Sequence, residues 1–97
     1  MAPAEVAGGR EARAFIGARG DDAIAAVWDY LGRERTLALP GAPEGLRRLD
    51  VFGKPLAAAN TGAGSPAVRL GPRRTTLIFP ATSPAAAREM LSRAKIE

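Results

Sequence analysis

Short runs in which apolar and polar positions alternate, each closed by glycine, proline or aspartate, recur about every ten residues along this chain. Residues 12–18 are the first, carrying Phe15 and Ile16. Arg19-Gly20-Asp21-Asp22 follows as a turn, because glycine and aspartate tolerate the backbone angles of a tight reversal. Residues 23–29 return as a second strand whose alternation puts Ile24, Ala26 and Trp28 on one face. The alanines would tolerate a helix. The adjoining turn and the Ile, Val and Trp content favour a strand, so the pair reads as a hairpin.

The same pattern continues. Leu31-Gly32-Arg33 is a turn, and residues 34–39 form a strand with Leu37 and Leu39 inward. Pro40 to Pro43 ends it, since proline cannot donate to a central ladder. Residues 46–52 set Leu49 and Val51 on one face and Arg48 and Asp50 on the other, before a turn at Gly53-Lys54-Pro55. Residues 56–59 read as a short edge piece, 60–66 as an open loop, and 67–70 and 75–79 as strands around Gly71-Pro72-Arg73-Arg74. The last element changes period. Ser83 caps a helix with Pro84 in its first position, where the missing N–H costs nothing. Ala87, Met90, Leu91 and Ala94 then form one apolar stripe over a helix at 84–95. Residues 1–11, with Pro3, Gly8 and Gly9, read as a flexible tail, and 12–97 as one domain. The fold expected is mainly β: a small antiparallel β-sandwich of about six or seven strands with one C-terminal α-helix. Its expected core and interface formers are Ile24, Trp28, Leu37, Leu39, Leu49, Val51, Val68, Leu70, Leu77 and Phe79.

Composition narrows the chemistry. The chain has no cysteine and no histidine, which removes disulfide scaffolds, thiolate zinc sites, cysteine nucleophiles and histidine-based triads. No cofactor is implied, and the missing cysteines fit either redox compartment. The 14 cations against 10 carboxylates give a net charge of +4, but the arginines are interleaved with acids along the whole chain. That is the composition of a solvated mixed-charge surface. No apolar run approaches the ~20 residues of a membrane span, and residues 1–13 lack an apolar signal-peptide core.

The order of the segments resembles a known family. Ala25-Ala26-Val27-Trp28, Thr36-Leu37-Ala38-Leu39, Asp50-Val51-Phe52-Gly53-Lys54-Pro55, Val68-Arg69-Leu70-Gly71 and Thr76-Leu77-Ile78-Phe79 follow one another as in the C-terminal accessory β-domain of barrel-type glycoside hydrolases. The likeness covers residues 12–80. It departs in Lys54, where asparagine is usual, and in Thr75-Thr76, where Pro-x-Tyr is frequent. In the Asp50–Pro55 phrase Phe52 is expected to pack, Gly53 to take a positive φ and Pro55 to fix the exit, which makes a tight turn and carries no chemistry. The resemblance implies a non-catalytic domain whose partner is a catalytic barrel, in cis or as a separate chain, with the catalytic carboxylates on that barrel. Self-association through an exposed apolar face is a further expectation.

Two other classes stay open. Trp28 and Tyr30, two apart on a strand, would form a sugar-binding platform for a polysaccharide if both rings were exposed, whereas Trp28 as a core plug would not. Arg47, Arg48, Arg73 and Arg74 would bind a polyanion or nucleic acid if the two doublets converged. Asp21, Asp22, Asp29 and Asp50 are the carboxylates near the expected sheet, and structural roles are expected for them, with turn chemistry for the first two and an outward position beside Arg48 for Asp50. Arg19-Gly20-Asp21 is an ordinary hairpin turn, and Gly62-Ala63-Gly64-Ser65 lacks the Lys-Ser/Thr and helix of a phosphate-cradling loop.

Overall fold

A computed structural model of the chain describes residues 2–4, 6, 12–29, 31–43, 45–57, 59–60 and 66–96. The hairpin sets the frame. Strands β1 (Ala2–Ala4), β2 (Ala12–Arg19) and β3 (Asp22–Asp29) are antiparallel neighbours, with β2 and β3 in register from Ala12 opposite Asp29 to Arg19 opposite Asp22. Gly20 takes φ +61° at the reversal, a conformation that costs glycine nothing and matches the strand twist. Strands β4 (Arg35–Ala38), β5 (Arg47–Leu49), β6 (Ala59–Asn60), β7 (Pro66–Leu70) and β8 (Thr75–Phe79) follow, then helix α1 (Pro84–Ser92) and β9 (Lys95–Ile96). They form a five-stranded sheet, β1-β2-β3-β8-β5, and a four-stranded sheet, β6-β7-β4-β9. All pairings are antiparallel, so the chain is a small β-sandwich with one helix near its C-terminus.

The core lies between the inner sheet faces and the helix. Leu37, Val68 and Leu70 of the smaller sheet, with Leu39 just past β4, meet Val27, Leu77 and Phe79 of the larger and Leu91 of the helix, all buried. Each such side chain contributes about 1.5–3 kcal/mol of burial. The helix begins as its sequence says, with the Ser83 Oγ accepting from the Ala86 N–H at 3.1 Å and Pro84 in the first turn. Ala87 and Leu91 are its buried residues, and Ala94 is buried just past its end.

Several expectations are corrected. On β3 the inward face is Ala23, Ala25 and Val27; Ile24, Ala26 and Trp28 are half-buried on the opposite face of the sheet. Both faces of this strand are apolar, so alternation defines the two sets without choosing between them. The helix packs on β2 and β3, and small side chains (Ala12, Ala14, Ala23, Ala25) let it approach closely. The helix ends at Ser92, three residues early, and Lys95–Ile96 pairs with β4 as an extra strand. Ala2–Ala4 pairs with β2 and Val6 is buried, where the sequence suggests a tail.

The fifth strand differs most. β5 has three residues, not seven, and Arg48 lies opposite Leu77, on the core side. Its Nε donates to the Ala67 carbonyl at 2.8 Å and its Nη1 to the Leu46 carbonyl at 3.4 Å, so the guanidinium ties the larger sheet to β7 of the smaller. Burial pushes the Arg48 pKa down from the usual guanidinium value. Leu49 therefore faces outward, and Val51 and Phe52 lie beyond the strand in a turn.

Candidate functional site

The outer face of the five-stranded sheet holds the residues that the sequence singles out. The registers place Phe15, Ile24, Ala26, Trp28, Leu49 and Ile78 there together. Phe15 stacks on Trp28 with ring centroids 5.7 Å apart and planes inclined by 18°. The Arg74 guanidinium carbon lies 5.0 Å from the Trp28 ring centroid. Phe15 comes from β2 and Arg74 from the approach to β8, the two neighbours of β3, so the ring is contacted from both adjoining strands. Trp28 is thus not the core plug, and its faces are engaged by its own chain. Tyr30 lies outside the described residues.

The arginine doublets do not converge. Arg47 is exposed on the outer face while Arg48 points into the core. Arg73 and Arg74 are exposed in the turn before β8, and Arg47 lies opposite Ile78, four residues or about 13 Å farther along that strand. Arg13, opposite Trp28, and Arg19 occupy the same outer face by register.

The turn after β5 continues this surface. Leu49 is opposite Thr76, two residues from Arg74, so residues 50–54 leave from the end of the sheet that carries Trp28. Asp50 builds the turn: its Oδ1 accepts from Phe52 N and Lys54 N, both at 2.9 Å, and its N–H donates to the Lys54 carbonyl at 2.8 Å. Gly53 takes φ +83° there, as the phrase requires. Phe52 does not pack: it is 77% exposed, with Val51 at 49% and Leu56 at 46%. A hydrogen-bonded turn thereby presents Val51 and Phe52 to solvent, and Leu56 is exposed just after it. In the sequence the phrase was legible as a turn, but not that its apolar residues face out.

Asp29 is the buried carboxylate. Its Oδ1 accepts from Leu31 N at 2.8 Å and Arg33 N at 3.3 Å, and Arg33 Nε and Arg35 Nε lie 3.8 and 3.5 Å from its oxygens. Burial alone would raise its pKa. The backbone donors at Leu31 and Arg33 and the two guanidiniums outweigh burial and hold it below the usual 3.8. Its surroundings are donors and cations, so it fastens the β3–β4 connection, where Asp29 N also donates to the Gly71 carbonyl at 2.9 Å. The Asp22 Oδ1 accepts from Ala81 N at 2.9 Å. Among the described residues no cluster of His, Cys, Asp or Glu could hold a metal ion, and no helix is long and apolar enough to cross a membrane. Two open depressions flank the helix, one bordered by Ala85, Arg88, Glu89 and Ser92, the other by Pro40, Gly41, Met90 and Arg93; neither reaches the sheet face. Residues 62–65 lie outside the described residues.

Comparison of the chain with protein-family models, curated proteins and solved structures finds no match.

Proposed function

We propose that this chain is a non-catalytic accessory β-domain that packs against the catalytic barrel of a glycoside hydrolase, in the same polypeptide or as a separate chain. One observation carries the proposal: Val51 and Phe52 stand exposed on a turn that Asp50 holds by hydrogen bonds, with Leu56 exposed just beyond it. Exposed apolar side chains clustered beside a half-buried apolar sheet face are what a docking surface leaves when its partner is absent. The β-sandwich fold and the tight turn formed by Asp50 to Pro55 agree with the resemblance in the sequence. Three of the described carboxylates have structural tasks: Asp29 and Asp50 fasten turns, and Asp22 accepts from the Ala81 N–H.

The test is titration of the chain into a glycoside hydrolase barrel expressed without its own β-domain, followed by sedimentation velocity. A one-to-one complex that raises the barrel's melting temperature and is lost in Phe52→Asp supports the proposal. No complex with any such barrel, together with saturable binding of a neutral polysaccharide, refutes it in favour of a sugar-binding module.

A further inference from the structure

We propose that the outer face of the five-stranded sheet is read by a protein surface that is apolar at its centre and ringed by carboxylates, and not by a second copy of this chain. The inference rests on the accessory-domain reading and adds the charge of the partner. By register the face carries Arg13, Arg19, Arg47 and Arg74 around the half-buried Phe15, Ile24 and Trp28, with Ile78 buried among them. Among the described residues, the carboxylate on the same face is Asp22, whose Oδ1 accepts from Ala81 N. Among the described residues, Arg19, Arg47 and Arg74 have no carboxylate within ion-pair distance.

Three occupants are then distinguished by physics. A twofold dimer would press this face on itself and set arginine against arginine, so charge opposes a second copy. A nucleic-acid base or a pyranose would need a bare ring face, and Trp28 is already contacted by Phe15 from one strand and Arg74 from the other. A protein surface needs no free ring. It needs apolar area for Phe52 and Val51 and carboxylates for the rim, which matches what is exposed.

Trp28 is the chain's one tryptophan and lies on the face in question, so its fluorescence reports occupancy directly. The probe is a random glutamate–tyrosine copolymer, with polyglutamate, oligo-dT and the chain's own concentration as the other arms. The copolymer should give a saturable Trp28 change that added salt weakens. Arg19→Gln combined with Arg47→Gln should weaken it about two- to thirtyfold, two exposed ion pairs' worth, and Phe52→Asp should weaken it as well. All three positions are exposed, so the substitutions remove no core packing, and an unchanged far-UV circular dichroism spectrum checks that the variants fold. No copolymer response overturns the proposal, as does an equal response to polyglutamate, which would make the apolar centre irrelevant. A stronger response to oligo-dT assigns the face to nucleic acid, and dimerisation abolished by Phe52→Asp assigns it to a second copy. A barrel that binds regardless of salt while the copolymer does not would sink the charged rim and leave the accessory-domain reading standing. A copolymer response with no barrel complex would do the converse.

Discussion

Which face of β3 meets the core can be read from neighbouring substitutions. Ala25 and Val27 are fully buried beside the helix and the smaller sheet, while Ile24 is half-buried on the outer face. Ala25→Leu puts an isobutyl group where a methyl fits and should cost about 1–3 kcal/mol by overpacking. Val27→Ala removes two carbons worth about 0.8 kcal/mol each and leaves a cavity, for a total of about 2–3 kcal/mol. Ile24→Ala, on the half-buried face, should cost about 1–2 kcal/mol, below the range for a fully buried isoleucine. Urea denaturation followed by Trp28 fluorescence and far-UV circular dichroism reads all three. A loss of about 2 kcal/mol moves the midpoint by roughly 1–2 M in a domain of this size. If Ala25→Leu were neutral and Ile24→Ala the costliest, the strand would face the other way and the inner face described above would be wrong.

Ser83→Ala removes the acceptor for Ala86 N and should cost about 1 kcal/mol, seen as a lowered melting temperature. Gly53→Ala meets no neighbour but must hold φ +83°, so it should destabilise by about 1–2 kcal/mol, with Gly53→Asn milder. The Asp29 carboxyl has a folded pKa below its unfolded value of 3.8, so the unfolded chain binds the extra proton. Its contribution is fully present above that value and is lost as pH falls through the folded pKa. Urea midpoints measured down the acid limb should therefore fall less steeply in Asp29→Asn than in the parent; equal slopes would contradict the assignment. Arg74→Ala uncovers one side of the Trp28 ring and should shift its emission to the red without changing far-UV circular dichroism.

Much of this architecture was legible in the order of residues. Gly20 beside Asp21, the Asp50-to-Pro55 phrase and Ser83-Pro84 are local devices whose backbone geometry depends on a few neighbouring atoms, and each does in the structure what its chemistry requires. Strand β8 at Thr75–Phe79 and the inward positions of Leu37, Leu39, Val68, Leu70, Leu77 and Phe79 are legible for a related reason, since bulky apolar residues at alternate positions have a lower free energy inside. Trp28 stood out as the candidate site's centre. Its partners did not: Phe15 and Arg74 are 13 and 46 positions away in the chain and meet it only through the registers of β2 and β8 against β3.

Tertiary structure decided what alternation leaves open. A strand with apolar residues on both faces has two faces of similar cost, and the helix chose the alanine side of β3 because small side chains permit close approach. That choice put Ile24 and Trp28 on the outer face. It also left the core side of β5 to Arg48, whose long side chain reaches the carbonyls of Leu46 and Ala67. The exposure of Val51 and Phe52 follows from Asp50, which draws the chain out of the strand before those residues can pair. The order of strands and turns is a property of neighbouring residues. The side of each sheet that meets the core, and so the surface left to a partner, depends on how separate segments share a fixed interior volume.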